Sequence, residues 1–388
     1  MTAHPTTDRD AESLIEDLVR IESYSGLERR ASEHLAGWLG ERGFDAGVDR
    51  SDSAFARRGA HESDRLAQLV LLGHIDTVPG TIEPRVEGGI LHGRGSVDAK
   101  GPLCAFAVAA TRAELPEGVE LVVLGCTEEE AETSRGARHA LSHYSPDAVI
   151  IGEPSAWNGI TLGYKGRLLA TYELTQPWAH SAGPEGSASD AAMDWWRRVM
   201  THVGITNHEP SIGSGADRRR GIFDSLQATV HEVQSFNNGL TDSVRMHCGF
   251  RLPPDLHPDA LETELRRCLD EQGVDTRPAL HCIGRELAHR SPRNDACARA
   301  LRASIRAEGG RPIDKVKTGT SDLNVVGPVW SCPIVAYGPG DSSLDHTPHE
   351  HLELAEYHRA IRVLTRAIET LTHELVSAKA ASPAGAVA

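Results

Sequence analysis

Four short apolar runs, each closed by glycine, two of them followed at once by histidine or acid and a third by acid after two intervening residues, constrain this chain more than any other feature. They are AQLVLLGH (67–74), ELVVLGCTEEE (120–130), DAVIIGEPS (147–155) and CPIVAYGPG (332–340). Runs this short and this rich in Val, Leu and Ile predict strands buried on both faces, as in parallel sheets. Between the first two, GPLCAFAVAATRAEL (101–115) predicts a helix with Gly101 and Pro102 at its start. Two helices open the chain: Leu14, Ile15, Leu18 and Val19 share one face, as do Ala31, Leu35, Trp38 and Leu39 in the next. A polar stretch separates them from the first run. Strands alternating with helices predict an α/β layered sheet.

The middle of the chain has a different pattern. LLATYELT (168–175) alternates like a half-exposed strand, and a helix follows over 188–203. After the loop SIGSGADRRRG (211–221) come strands at 226–233 and 243–252 and a helix over 258–272. This β-α-β-β-α order predicts a small α+β domain inserted into the first. The boundaries fall at 1–163 and 286–388 for the outer domain and 164–285 for the insert. Beyond 286 the α/β pattern returns, with helices near 294–308 and 354–376. The tail AKAASPAGAVA (378–388) is expected to be disordered.

The 388 residues carry 55 acidic against 40 basic side chains, a net charge of −15. That excludes the basic face a nucleic-acid binder needs and a polybasic membrane-surface protein. No apolar stretch approaches the ~20 residues of a membrane helix. The first residues lack the basic and apolar regions of a signal peptide. Seven cysteines without a CxxC pair predict neither a disulfide framework nor a thiolate zinc site. They fit buried thiols in a reducing cytoplasm.

The chemistry lies after the strands, where open α/β sheets build their sites. His74 and Asp76 follow the first run, and Asp98 sits in GRGSVDAKG before the 101–115 helix. Glu128, Glu129 and Glu130 follow the second run and Glu153 the third. Asp345, His346, His349 and His351 lie beyond the fourth. Any one of these reads most simply as a solvated loop residue. Five equivalent places delivering His or carboxylate read as a metal site built without cysteine. His74, Asp98, Glu130, Glu153 and His346 would supply five ligands. That number fits two metals sharing one carboxylate, spaced ~3.5–4 Å apart.

In the order HIDTVP, GRGSVDAKG, a Glu-Glu pair after a strand, GEPS, and GPG…DHTPHE, the chain resembles a co-catalytic zinc exopeptidase and deacylase family. That family includes N-acetylornithine deacetylase, succinyl-diaminopimelate desuccinylase and glutamate-releasing carboxypeptidases. The resemblance covers roughly residues 10–375. EEEAETSRGARHA, KTGTSDLNVV and GPGDSSLDHTPHEHLEL resemble most the members that release lysine or ornithine from an amino-group carrier protein.

The resemblance implies a mixed central sheet flanked by helices, with an inserted ferredoxin-like α+β domain serving as dimerisation and lid domain. It implies two divalent ions, zinc by default, with cobalt or manganese as alternatives. His74 would be a ligand oriented by Asp76. Asp98 would bridge, with a cis peptide bond to Ala99. Glu153 would share a metal with His74, and His346 would bind the other. Without a gap in LVVLGCT, Glu129 is the general base and Glu130 a ligand; a shift by one would make them Glu128 and Glu129. His180, in QPWAHSAGPEGSASDAA, would polarise the scissile carbonyl across a homodimer. Asn238 (rivalled by Asn237), Arg251, Gly319, Thr320 and Ser321 would line the substrate.

The implied reaction is hydrolysis of an amide, with a small N-acyl amino acid or an acidic carrier protein as substrate. Arg218, Arg219 and Arg220 would offer such a carrier a basic docking run, although a solvated loop is the simpler and favoured reading of them. A general deacetylase and a metallo-dipeptidase or carboxypeptidase are the enzymatic alternatives. A non-catalytic metal-binding homologue is the alternative of another class.

Overall fold

The computed structural model describes residues 6–180, 182, 185–208, 221–272 and 276–381. The Arg218–Arg220 run and the tail beyond Ala381 lie outside the described residues. The first elements are α1 (Asp8–Arg20), α2 (Arg29–Gly40), β1 (Asp45–Val48), β2 (Ala54–Gly59), β3 (Ala67–His74), β4 (Arg85–Glu87) and β5 (Ile90–His92). There follow α3 (Lys100–Arg112), β6 (Val119–Cys126), α4 (Arg135–Leu141), β7 (Ala148–Gly152) and β8 (Gly159–Tyr164). The middle contains β9 (Gly166–Pro177), α5 (Ala188–His208), β10 (Gln227–Asn237), β11 (Thr241–Leu252), α6 (Pro258–Asp270) and β12 (Ala279–Glu286). The last are β13 (His289–Arg290), α7 (Ala296–Ala307), β14 (Ile313–Lys317), α8 (Asp322–Val326), β15 (Ile334–Tyr337), β16 (His351–Glu353) and α9 (Leu354–Ala381).

The chain divides into two compact units. One comprises residues 1–163, 291–316 and 321–388; the other comprises 164–290 and 317–320. In the first, a mixed sheet runs in the order β1-β2-β6-β3-β7-β15-β8. The four strands read from the apolar runs are its centre: β3 pairs in parallel with β6 and β7, and β15 with β7. Their carboxyl ends therefore open on one side.

Residues of β3, β6 and β7 are buried throughout, and so is nearly all of α3. A helix apolar all round belongs inside a core. The glycines that close the strands make room for it. A Cβ on Gly152 would lie 2.9 Å from the Phe106 ring of α3 and 3.1 Å from Gly73 Cα. Helices α1, α2, α7 and α9 complete this core with Leu14, Leu18, Leu35, Leu301, Ile361 and Leu364.

In the second unit the antiparallel order β10-β11-β9-β12, with α5 and α6, is the β-α-β-β-α-β arrangement of a ferredoxin-like fold. Leu168, Ala170, Tyr172 and Leu174 of β9 alternate inward against Trp195 and Val199 of α5 and Leu265 of α6. β12 is an addition to the sequence-based order. Its inward Leu280 and Cys282 alternate with exposed His281 and Ile283 too weakly to stand out. The polar stretch before β3 likewise forms the β1-β2 hairpin, paired antiparallel onto β6. α9 continues past 376 to Ala381, so residues 378–381 are helical rather than disordered.

Candidate metal centre

His74 ends β3, beside Cys126 at the end of β6. Its ring is buried, and Nδ1 lies 3.1 Å from the Asp76 carbonyl oxygen and 3.5 Å from Asp76 Oδ1. Nε2 then faces Asp98 Oδ1 at 3.3 Å. The other Asp98 oxygen, Oδ2, is 3.0 Å from His346 Nε2, and that same nitrogen is 2.9 Å from Glu130 Oε1. One carboxylate thus lies between two imidazoles, offering an oxygen to each. The Asp98–Ala99 peptide bond is cis.

Asp76 does more than face His74. Its Oδ1 accepts the Glu129 amide (3.1 Å), and its Oδ2 accepts the Glu130 amide (3.0 Å) and the Ser25 hydroxyl (2.7 Å). A single buried carboxylate therefore aligns the histidine and the glutamate pair. The structure also separates the three consecutive glutamates. Glu128 takes a positive φ of 59°. Its carboxylate accepts the Thr133 hydroxyl and pairs with Arg135 at 3.2 Å. Glu129 and Glu130 instead join His74 in a group whose ligand atoms all lie within 4.8 Å of one another. Asp98, Glu130 and His346 form a second such group, so Glu130 belongs to both. His346 also has a positive φ, 60°, an uncommon conformation for a histidine.

Glu153, the residue after β7, is buried and belongs to neither group. Its charge nonetheless acts on Glu129. His349 and His351 also lie outside both groups, and His351 Nδ1 faces the His349 carbonyl oxygen at 2.7 Å.

The electrostatics reflect crowding of like charge in a dry place. Burial, then the charges of Glu153, Glu130 and Asp322, push the Glu129 carboxyl well above its usual range against the pull of His74. Burial also raises Glu130, opposed by its hydrogen bond from His346. Burial would raise Asp98, but hydrogen bonds from His346 and His74 outweigh it and hold the carboxyl low. Burial opposes charge on His74, yet its bonds to Asp76 and Asp98 raise its pKa well above the ordinary imidazole value. Hydrogen bonds to Asp98 and Glu130 push His346 up to about 10. These imidazole nitrogens and carboxylate oxygens form the hard-to-borderline donor set of a divalent-metal site. Two adjoining triads sharing Glu130 fit a pair of ions.

Two further residues hold the centre in place without being singled out in the sequence. Glu350, fully buried, accepts the amides of Val97 (2.9 Å) and Asp98 (3.1 Å) on Oε1 and pairs with Arg94 (2.7 Å) on Oε2. Glu28 Oε1 accepts the amides of Gly26 (2.8 Å) and Glu128 (3.2 Å). Glu350 lies in the DHTPHE motif, which was the available signal. Glu28 had none.

In the second unit, His180 is exposed and its Nδ1 accepts the Ala182 amide at 3.1 Å. Asn238 Oδ1 accepts the amides of Leu240 (2.9 Å) and Thr241 (2.8 Å), shaping the β10-β11 turn, and Asn237 does the same for Gly239 (2.7 Å). Arg251 Nη1 donates to Thr320 Oγ1 at 3.1 Å, which brings two of the expected substrate residues together. Gly319 adjoins Thr320 in that segment. Ser321, in the first unit, is buried and caps α8, its hydroxyl accepting the Leu323 amide at 3.2 Å.

Residues 70–370 match the family described as peptidase family M20/M25/M40. The chain is 46% identical to a [LysW]-lysine hydrolase of Deinococcus radiodurans over 371 residues, covering 95% of this chain and 99% of that one. It is 36% identical to a putative [LysW]-lysine/[LysW]-ornithine hydrolase of Thermococcus kodakarensis, covering 91% and 90%. Among solved structures it resembles the M20 family metallo-carboxypeptidase Sso-CP2 of Sulfolobus solfataricus, with a TM-score of 0.78 at 16% identity over 94% of this chain and 99% of that one. A dinuclear metal-binding M20 peptidase of Bacillus subtilis gives 0.68 at 13% identity, over 95% and 98%. The chain belongs to peptidase family M20/M25/M40 and is a hydrolase of that family.

Proposed function

We propose that this protein is a dinuclear-metal amide hydrolase that releases lysine or ornithine from a conjugate with the carrier protein LysW, for amino-acid biosynthesis. The observation that carries the chemistry is the pair of adjoining triads that share Glu130, with Glu129 beside them. The names of the 46% and 36% identical relatives support the substrate.

His74, Asp98, Glu130, Glu153 and His346 would hold the ions, zinc or cobalt by donor type. Two such ions lower the pKa of water and polarise a carbonyl. Glu129 takes the proton of the attacking water and returns it to the leaving amine. Asp76 holds His74 and the glutamate pair in register. His180, from the second subunit of a homodimer, stabilises the charge that develops on the carbonyl oxygen. Arg251 and Thr320 bind the amino-acid portion, with Gly319 beside Thr320; Asn238, at the end of β11 away from Arg251, would act from the second subunit as His180 does.

The dimer reading is supported by β10. This outer strand is exposed along most of its length, and Val233 and Phe236 lie open on it. Such an edge is a template for pairing with a second copy. Free thiols throughout the chain support a reducing cytoplasm.

The test is amine release from the conjugate by metal-loaded enzyme. Glu129→Gln should keep two metal equivalents per chain while turnover falls by ~10²-fold or more. Undiminished turnover would move the base elsewhere.

A further inference from the structure

A cavity lies in the first unit, at the end of the sheet opposite the metal centre. It measures about 670 Å³, within the ~300–1,000 Å³ range of small-molecule sites. Its walls come from the β2 end, the segment after it, the starts of β3 and β6, and the residues ahead of β7. Gln68 and Glu120 stand near the starts of strands whose far ends carry His74 and lead to Glu129.

The charges in this cavity are arranged unusually. Arg57 stands over the rings of Phe55 (5.5 Å) and Tyr144 (5.2 Å), and Nη2 donates to the Tyr144 hydroxyl at 3.3 Å. That is its one hydrogen bond among the described residues, and no carboxylate there comes within ion-pair distance. Nε is buried without an acceptor. The guanidinium is therefore fixed in place and left short of partners. The neighbouring Arg58, by contrast, is engaged by the carbonyls of Thr111 and Ala113.

On the same cavity wall Glu120 is buried. Its Oε2 accepts both Arg65 Nη1 and Gln68 Nε2 at 2.6 Å, while Oε1 takes no bond among the described residues. Asp45, the cross-strand neighbour of Arg57, adds a second carboxylate.

We infer that this cleft binds a free amino acid, its carboxylate on Arg57 and the Tyr144 hydroxyl and its ammonium group on Glu120 and Asp45. A planar guanidinium held by aromatic rings and lacking a carboxylate is a preformed receptor for one. The free oxygen of a buried carboxylate beside it selects a ligand that also carries positive charge. A simple anion would leave Asp45 facing like charge and Glu120, paired with Arg65 through Oε2, with its Oε1 unused. This inference stands independently of the reaction at the metal centre.

The experiment is calorimetric titration of the metal-loaded enzyme with L-lysine, in wild type, Arg57→Gln and Tyr144→Phe. The metal centre is common to all three, so a difference between isotherms reports the cleft. The expected result is one binding event weakened tenfold or more by Arg57→Gln and less by Tyr144→Phe. Amine release at low lysine should stay unchanged in both. If Arg57→Gln does not fold, Tyr144→Phe, which keeps the ring, decides alone. Identical isotherms for wild type and the folded variants would overturn the assignment. So would acetate binding there as tightly as lysine, because the two carboxylates would then have no role.

Discussion

A single buried carboxylate can govern several reacting groups, and this centre uses the device twice. Asp76 aligns His74 with the amides of Glu129 and Glu130. Glu350 fixes the Val97 and Asp98 amides and neutralises Arg94. Glu350→Ala would leave Arg94 unpaired and two amides without acceptors. It should destabilise the fold by about 3–5 kcal/mol, the usual cost of breaking a buried ion pair. Metal affinity should weaken ~10–100-fold through displacement of Asp98. Urea denaturation and competition with a chelator measure the two effects, and unchanged metal affinity would show that Asp98 holds its place unaided. At this scale the sequence reveals residue types but not contacts. Three glutamates in a row cannot be told apart until Glu128 adopts a positive φ and is tied to Thr133 and Arg135. The resemblance implies substrate roles for Ser321 and Asn238; within the chain Ser321 also caps a helix and Asn238 also shapes a turn, contacts that residue type and spacing do not reveal.

Among the elements, α3 links core and site. Lys100 opens it, and its ammonium group donates to the carbonyls of Leu18 (3.0 Å) and Ile21 (2.8 Å) at the end of α1. Burial lowers the Lys100 pKa from 10.5 to about 8. Below about pH 8 both folded and unfolded chains carry the proton. Between about 8 and 10.5 the unfolded chain retains it and the folded chain does not, so this lysine's contribution to stability rises with pH across that window. The rise is on the order of 3 kcal/mol for a shift of this size. Lys100→Met should remove it, seen as a smaller difference between urea midpoints at pH 8 and pH 10 than in wild type. An equal difference would mean Lys100 titrates normally. β10 gives the other element-scale prediction. If the proposed homodimer pairs through this edge, Phe236→Lys should convert dimer to monomer in analytical ultracentrifugation, since a charge there blocks strand pairing. A dimer that persists would place the interface elsewhere. The central strands were legible because burial on both faces demands unbroken apolar runs. β12 and the β1-β2 hairpin were not, because strands at or next to a sheet edge need only half an apolar pattern and mix it with polar residues.

For the whole molecule, the order of motifs along the chain carries the family, and parallel pairing explains why motifs so far apart in sequence converge. His74, Glu129, Glu153 and the loop bearing His346 all follow the carboxyl ends of adjacent strands. The acidic total of −15 does not reveal where a carrier would dock, because net charge says nothing of its distribution. Substrate choice is measured most directly as kcat/KM for amine release by the metal-loaded enzyme, comparing lysine and ornithine conjugated to LysW with N-acetyl-lysine and N-acetylornithine. A preference of ~10²-fold or more for the conjugates, the size that carrier contacts of about 2.7 kcal/mol would give, is the predicted result. Equal or faster turnover of the acetyl compounds would contradict the account and make the protein a general deacetylase.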